Sequence, residues 1–232
     1  LTSTFLPLIG GLEMVVHNLA TALTILGHNV YVVTPIKRKP YFDRKHNYRI
    51  IRFGFRGYGR LGLVSASALW ILAYVVLRFK IDVINAHNVY IPGSRAYYFG
   101  RLFKKIPVIG TPHGDDIQIT PEIRHGVRLN PECDKIVRRN LMFFSRVTSI
   151  SPSIRKDLDE LLVDHNKVVD IPNGVWVKNF QTNIDKAEIR KKYGIPSKST
   201  ALISIGRNHP IKGFEYGLNA VAKLRNKGVA VS

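Results

Sequence analysis

The sequence predicts an α/β fold built around an open parallel sheet. Short apolar runs rich in β-branched residues alternate with helical patterns along most of the 232 residues, and this alternation is typical of parallel strands joined by crossover helices. From residue 173 the pattern changes to a polar stretch without a clear period, and a second α/β unit has begun by residue 200. We therefore predict two domains, residues 1–182 and 183–232.

The individual elements follow from periodicity and from their end signals. Leucine and valine recur at helical spacing over residues 12–27, and Gly27 supplies a stop. Ser151 is a suitable N-cap with Pro152 at the first helical position. Strands are expected at residues 29–35, 48–53, 82–87, 106–111, 148–151, 167–172 and 200–205, and further helices at 61–77, 93–104, 130–147, 152–162, 185–193 and 213–226.

Charge and cysteine content limit the classes of partner and compartment. The formal net charge of +19 predicts attraction to polyanions such as nucleic acid, anionic lipid or a diphosphate ligand. Lysine and arginine are concentrated between residues 37 and 60, where Asp43 is the single acid. The lone Cys133 cannot form an internal disulfide, and no zinc-finger spacing surrounds it. We infer a reducing, cytoplasmic compartment and no structural metal.

An apolar run and the two chain ends lead to further expectations. Residues 61–77 are uncharged, but they are too few and too diluted by glycine and serine for a membrane span. A core helix is favoured, and together with the basic segment it suits a protein that rests peripherally on an anionic membrane. Because the sequence starts at Leu1 rather than methionine and residues 229–231 resemble the beginning of a strand, we expect it to be part of a longer chain.

Ligands of open parallel sheets lie beyond the carboxyl ends of the strands, which selects four loops. In the first, Gly10 and Gly11 directly precede a helix, where a phosphate or sugar can approach the backbone. A plain tight turn, with Glu13 interacting with the helix dipole, is the alternative. The others are the loops at residues 113–116, 172–175 and 206–213.

The loop SIGRNHPIKG places Arg207 and Lys212 between two glycines, after a predicted strand and before a helix. Two fixed cations at this position can hold a diphosphate and neutralise charge that grows on it as it leaves. A solvated basic turn is the alternative, because the whole chain is rich in lysine and arginine. His209 is interpreted as a loop residue rather than a ligand.

Taken in order, seven segments resemble the retaining nucleotide-sugar glycosyltransferases of family 4, which have the GT-B fold. They are PLIGGLE, GHNVYVVT, DVINAHN, PVIGTPHGDD, TSISPS, IPNGV and IGRNHPIKG. The resemblance implies two Rossmann-like domains, of which residues 1–182 form the acceptor side and residues 183–232 begin the nucleotide-sugar side. It also implies a pair of donor-site glutamates beyond Ser232, so that this stretch alone is not a competent enzyme.

The resemblance assigns roles to particular residues. Arg207 and Lys212 match the basic pair on the donor diphosphate, and His113 matches the histidine that approaches the transferred sugar. Donor contacts are further implied for a group of loop residues, Gly10, Gly11, Asn173 and Gly174. The implied reaction retains configuration, with no metal and no cofactor besides the donor. Asp115 or Asp116 is therefore expected to cap or brace the loop rather than to bind metal.

The acceptor and the rival functions are less constrained by the residues. The basic segment beside the apolar helix suggests a saccharide or lipid-linked acceptor at an anionic membrane surface. A nucleic-acid or polyanion binder is the non-enzymatic alternative, although no nucleic-acid-binding motif is present. A sugar-nucleotide epimerase of similar build is the enzymatic alternative, which product analysis with the donor alone would reveal.

Overall fold

Helices and strands alternate in the computed structural model, which describes residues 1–35, 43–54 and 66–232. We number the elements in chain order. They are α1 (Gly11–Ile25), β1 (Tyr31–Pro35), β2 (Arg49–Phe53), α2 (Ala66–Phe79), β3 (Ile84–His87), α3 (Ile91–Leu102), β4 (Val108–Thr111), α4 (Pro131–Phe143), β5 (Arg146–Ser149), α5 (Pro152–Glu160), β6 (Val168–Asp170), α6 (Lys186–Lys192) and α7 (Phe214–Asn226).

The strands are parallel, as the alternating pattern predicts. Strands β1 and β2 pair with each other, and β3, β4, β5 and β6 form a four-stranded sheet in that order. The first two residues lie between the two groups: the amide of Thr2 donates to the carbonyl of Val33 at 3.1 Å, and the amide of His87 donates to the carbonyl of Leu1 at 2.9 Å. All these strands therefore end at the same edge.

One large hydrophobic core joins the strands to helices α2 to α5. Its members include Val33, Phe53, Leu72, Val75, Ala86, Phe99, Val108, Leu141, Val147 and Leu158. A smaller core lies against α1, with Val16, Ala20 and Val32 buried together. Each such side chain contributes about 1.5–3 kcal/mol on full burial, so the packing against these helices fixes the loops at the strand ends.

Local signals set several helix starts. The side chain of Asn130 accepts hydrogen bonds from the amides of Glu132 and Cys133 at the start of α4. Ser151 Oγ accepts from the amide of Ile154 at 3.3 Å, and Pro152 is the first residue of α5. The predicted serine cap is thus confirmed.

The apolar run proves to be a half-buried helix in its described part. Helix α2 has 14 residues and buries Ala68, Leu72, Val75 and Val76 in the core. Residues 61–65 of the predicted helix lie outside the described residues. Across the described part of the chain, no helix is both long enough and apolar enough to cross a bilayer.

The chain divides into two compact units, Leu1–Val175 and Trp176–Ser232. In the second, the predicted strand at residues 200–205 is not formed as such: Thr200 pairs, in parallel, with Val231. The amide of Thr200 donates to the carbonyl of Ala230 at 2.8 Å. A strand needs a partner along its length, and within the described residues the backbone pairing extends only to Leu202, whose amide donates to the carbonyl of Ser232 at 2.8 Å.

Candidate functional site

The carboxyl edge of the four-stranded sheet brings two histidines together. In the register of β3 and β4, His87 lies opposite Thr111, and His113 follows two residues later. Nδ1 of His87 lies 3.0 Å from Nε2 of His113, and the ring centroids are 5.3 Å apart. The predicted site residue His113 therefore lies at the expected edge, with a partner that the loop pattern did not identify.

Burial keeps both rings neutral. The His87 side chain is only 3% exposed, and burial lowers its pKa well below the ordinary value of 6.5, with a further lowering by His113. The half-buried ring of His113 has a pKa lowered to about 4, also by burial. A neutral imidazole has one donor and one acceptor nitrogen, so His113 can orient a hydroxyl group at neutral pH.

Asp116 braces the loop that carries His113. Its Oδ1 accepts hydrogen bonds from the amides of His113 and Gly114, at 2.8 and 3.1 Å, and its Oδ2 accepts from the amide of Val89 at 2.7 Å. The carboxyl group is fully buried, which raises its pKa to about 6. The expected bracing role is confirmed for Asp116, whereas Asp115 is exposed.

The glycine loop before α1 uses its two glycines differently. Gly10 is the N-cap of α1 in an extended conformation, and a Cβ added there would lie 2.5 Å from Oε2 of the mostly buried Glu13. A Cβ added at Gly11 would meet nothing within 4 Å. The carboxylate of Glu13 therefore occupies the space that a side chain at Gly10 would need. Gly11 instead leaves open space beside the free amides at the start of α1.

Asn173 and Gly174 lie three and four residues beyond the end of β6, and both are exposed. A Cβ added at Gly174 would meet nothing within 4 Å. These two residues lie in the first unit, in a segment without regular secondary structure. Their donor contact stays a prediction.

Arg207 and Lys212 lie in the second unit, in the loop that leads into the 13-residue helix α7. Residues 210–212 form a 3-10 turn, in which Nδ1 of His209 accepts from the amide of Ile211 at 3.3 Å. Gly213 then adopts a left-handed conformation, with φ of 63°, as the N-cap of α7. His209 is thus a loop residue, as expected.

The two cations of this loop are available for an anion. Arg207 and Lys212 are exposed, and within the described residues neither forms an ion pair. No side chain caps the start of α7, so its first amides and the positive end of its dipole are also open. Cations beside open helix amides can hold an anion, and that this loop does so stays a prediction.

Two further buried polar residues, on α3 and α4, have no signal in the sequence. Arg95 on α3 is 1% exposed, with its Cζ 4.9 Å from the ring centroid of Phe53, and burial lowers its pKa to about 10. Asn140 on α4 donates through Nδ2 to the carbonyl of Val89 at 2.8 Å. A lone arginine or asparagine in a helical pattern predicts exposure, so the pattern could not identify either.

Within residues 43–54, the described part of the basic segment contacts the end of α2. Arg52 is buried in a pair with Asp43, its Nε 2.7 Å from Oδ2, and Arg49 lies 5.4 Å from the ring centroid of Phe79. Five of the cations predicted to attract anions lie outside the described residues, namely Lys37, Arg38, Lys39, Arg56 and Arg60. On α2, the outward side chains Trp70, Tyr74 and Leu77 are 77%, 55% and 69% exposed.

In the described part of the chain, no three histidine, cysteine, aspartate or glutamate side chains are grouped so that they could hold a metal ion. Both carboxylate oxygens of Asp116 are taken by backbone amides. The HGDD segment therefore serves the loop's conformation. That the reaction needs no metal stays a prediction.

The sequence of this chain resembles those of known glycosyltransferases. The sequence model of the family described as Glycosyltransferase Family 4 matches residues 9–178. N-acetyl-alpha-D-glucosaminyl L-malate synthase of Bacillus anthracis is 22% identical over 95% of this chain and 57% of its own length. Alpha-monoglucosyldiacylglycerol synthase of Streptococcus pneumoniae is 25% identical over 96% of the chain and 51% of its own length. The chain spans about half the length of these curated relatives.

Solved structures agree on the fold. HepE of Anabaena in complex with UDP and glucose has a TM-score of 0.70 at 16% identity, over 96% of this chain and 57% of that one. Sucrose-phosphate synthase of Thermosynechococcus elongatus has a TM-score of 0.68 at 18% identity, over 93% of this chain and 55% of that one. The predicted α/β fold, with a Rossmann-like N-terminal domain of the GT-B type, is confirmed.

Proposed function

Because the chain belongs to glycosyltransferase family 4, we propose that the protein transfers a sugar from a nucleoside diphosphate sugar to a hydroxyl acceptor, with retention at the anomeric carbon. The donor is a substrate, and neither a metal nor a separate cofactor takes part. The first unit carries the acceptor side of the site, and the second unit holds the donor diphosphate.

The loop of residues 206–213 is the observation that carries this proposal. Its two exposed cations, Arg207 and Lys212, form no ion pair with the described part of the chain, and they lie before the start of α7, which no side chain of that part caps. A diphosphate at this position gains two charge-assisted contacts together with the helix dipole. The aliphatic part of the Lys212 side chain lies beside Gly206, 3.5 Å from the position of a Cβ added there.

The chemistry then follows from where charge develops. The bond between the anomeric carbon and the diphosphate oxygen breaks, and its electron pair leaves with the diphosphate. The acceptor hydroxyl adds to the same face of the oxocarbenium-like sugar, and its proton passes to an oxygen of the departing diphosphate. Arg207 and Lys212 stabilise the departing diphosphate more than the intact donor, which is what accelerates the step. His113 orients the sugar through a ring nitrogen and does not act as the base.

Replacing Arg207 or Lys212 by alanine tests the donor site. We expect each variant, made in the full-length protein, to lose about 10²-fold or more in kcat/KM for transfer, the scale of losing one preorganised charge contact, with an unchanged circular dichroism spectrum. The assay uses a panel of nucleoside diphosphate sugars. Lys223→Ala is the matched control, because Lys223 is an exposed cation in the last turn of α7. Near-normal turnover in both loop variants would contradict the assignment.

Two product measurements complete the test. Proton NMR of the product reports the anomeric configuration, and an inverted product would exclude retention. Incubation with the donor alone distinguishes the alternative activity, since an epimerase changes the sugar without any acceptor whereas a transferase does not. Binding to generic DNA that resists physiological salt would favour the nucleic-acid alternative.

For the acceptor, we propose a lipid-linked saccharide or lipid at the inner, anionic face of a membrane, with the protein cytoplasmic and peripheral. The outward face of α2 supports this, because Trp70, Tyr74 and Leu77 recur at a spacing of four and three residues. Arg78 and Lys80 are exposed at the end of that helix. Aromatic side chains beside cations are typical of interfacial helices. The name of the Streptococcus pneumoniae relative also points to a lipid acceptor.

Vesicle flotation at low salt tests this surface. We expect the protein to float with anionic vesicles and the double variant Trp70→Ala, Tyr74→Ala to bind at least about 10-fold more weakly, given the apolar area removed. Tyr216→Ala is the control, because this equally exposed aromatic lies on α7. If the wild-type protein does not float, the membrane partner is wrong. If the double variant floats like the wild type, only the α2 surface is wrong.

A further inference from the structure

The contact between His87 and His113 constrains the protons on both rings. Nδ1 of His87 and Nε2 of His113 are 3.0 Å apart, a hydrogen-bond distance. With both rings neutral, the bond forms only if one of these nitrogens carries a proton and the other does not. The protonation of one ring therefore determines which nitrogen of the other ring bears its proton.

The two rings are not equally free to move. His87 ends β3, its backbone amide is bonded to Leu1, and its side chain is 3% exposed. His113 lies in a loop, held through its backbone by Asp116, and its ring is half-buried. Within the described residues, Nδ1 of His113 has no hydrogen-bond partner. His87 is therefore the fixed partner, and His113 is the ring whose Nδ1 is left for a ligand.

We propose that His87 is a positioning residue, which fixes the ring orientation and the tautomer of His113 and thereby decides whether Nδ1 of His113 donates to or accepts from a sugar hydroxyl. The hydroxyl as ligand rests on the proposed function. The hydrogen bond between the two rings does not rest on the proposed function, because it joins two residues of this chain and involves no ligand. Sequence patterns assign no role to His87, which ends an apolar strand.

Nitrogen NMR of the histidine rings tests the tautomer without any substrate. The chain contains eight histidines, and the His113 signals are assigned by their loss in His113→Asn. We expect His113 to show one neutral tautomer in the wild type and a mixture of two in His87→Phe. His28→Phe is the control, because His28 is an exposed histidine outside the site. Unchanged His113 shifts in His87→Phe would overturn the proposal.

Two amide variants separate positioning from packing. The amide nitrogen of asparagine lies two bonds beyond Cβ, as Nδ1 of histidine does, whereas that of glutamine lies three bonds beyond, as Nε2 does. His87→Asn can therefore restore the bond to His113, and His87→Gln cannot. We expect His87→Gln to lose about 10-fold in kcat with little change in the donor KM, and His87→Asn to stay within about threefold of the wild type.

The outcomes distinguish this proposal from the proposed function. If no sugar is transferred by the wild type, the proposed function fails while the NMR test of the ring pair stands. If the asparagine and glutamine variants fold with equal thermal stability but show the same His113 shifts and the same kcat, His87 has only a structural role. If His87→Phe does not fold, the comparison of His87→Asn with His87→Gln decides between a positioning role and a structural role for His87.

Discussion

Gly110 on β4 is required by its neighbour rather than by its own conformation. A Cβ added there would overlap the ring of Phe144, which is completely buried. The strand brings Gly110 beside Ala86 of β3, so the aromatic ring fills the space that a side chain would otherwise take. The apolar character of β4 could be predicted, but the need for glycine comes from this packing.

Gly110→Ala should therefore destabilise the first unit by about 1–3 kcal/mol, the usual range for overpacking a dense core. Urea unfolding followed by circular dichroism measures the change. Gly11→Ala is the control, since a Cβ there meets nothing within 4 Å and replacing glycine in a helix is neutral or slightly favourable. Equal stabilities of the two variants would contradict the packing argument.

At the scale of elements, the side chain of Asn140 ties α4 to the loop after β3. Asn140 is fully buried, and its Nδ2 donates to the carbonyl of Val89 at 2.8 Å and to Oγ of Ser94 at 3.0 Å. Asp116 holds the same loop through the amide of Val89. The loops that follow β3 and β4 thus form one hydrogen-bonded assembly, and it supports the two histidines.

Asn140→Leu should destabilise the protein by about 2–4 kcal/mol, because it leaves the carbonyl of Val89 and the hydroxyl of Ser94 buried without this donor. It should also loosen the His113 loop, which hydrogen exchange of the Val89 and His113 amides would report. Lys135→Ala on the same helix is the control. Its exposed pair with Glu132, at 3.2 Å, should contribute less than about 1 kcal/mol.

At the scale of the molecule, buried titrating groups make stability depend on pH. Burial lowers the pKa values of His87 and His113 below 6.5, that of His113 to about 4. At pH values between the lowered and the ordinary pKa, the two histidines bind more protons in the unfolded chain than in the folded one. The free energy of unfolding therefore falls as pH falls. Asp116 acts in the opposite direction, because its pKa is raised from 3.8 to about 6 and the folded state retains that proton.

The two histidines should outweigh the one aspartate, so that the unfolding free energy falls as pH drops from about 6.5 to about 4. His113→Asn should reduce this fall by roughly 1–3 kcal/mol, given about 1.4 kcal/mol for each pKa unit and a partly exposed ring. Asp116→Asn should make the fall steeper. Urea titrations across this pH range measure the free energy of unfolding, with His28→Asn as the control. Parallel curves for His113→Asn and the wild type would contradict the argument.

The order of helices and strands could be predicted because periodicity and end signals are local properties of the sequence. The strand expected at residues 200–205 is the exception, and it shows the limit of the method. The apolar pattern is present, but pairing depends on a partner strand, and in the described structure the segment is paired only over residues 200–202. Similarly, the loop positions of His113, Arg207 and Lys212 follow from strand ends, whereas their contacts do not.

By itself, the sequence determined the parallel α/β architecture, the loops at the strand ends and the placement of the cations Arg207 and Lys212 before a helix. Only the tertiary structure decided that His87 meets His113, that Asp116 joins two loops and that Arg95 is buried. The reason is that these contacts join residues 26 or more positions apart or depend on burial, and both are set by strand register and helix packing rather than by local pattern.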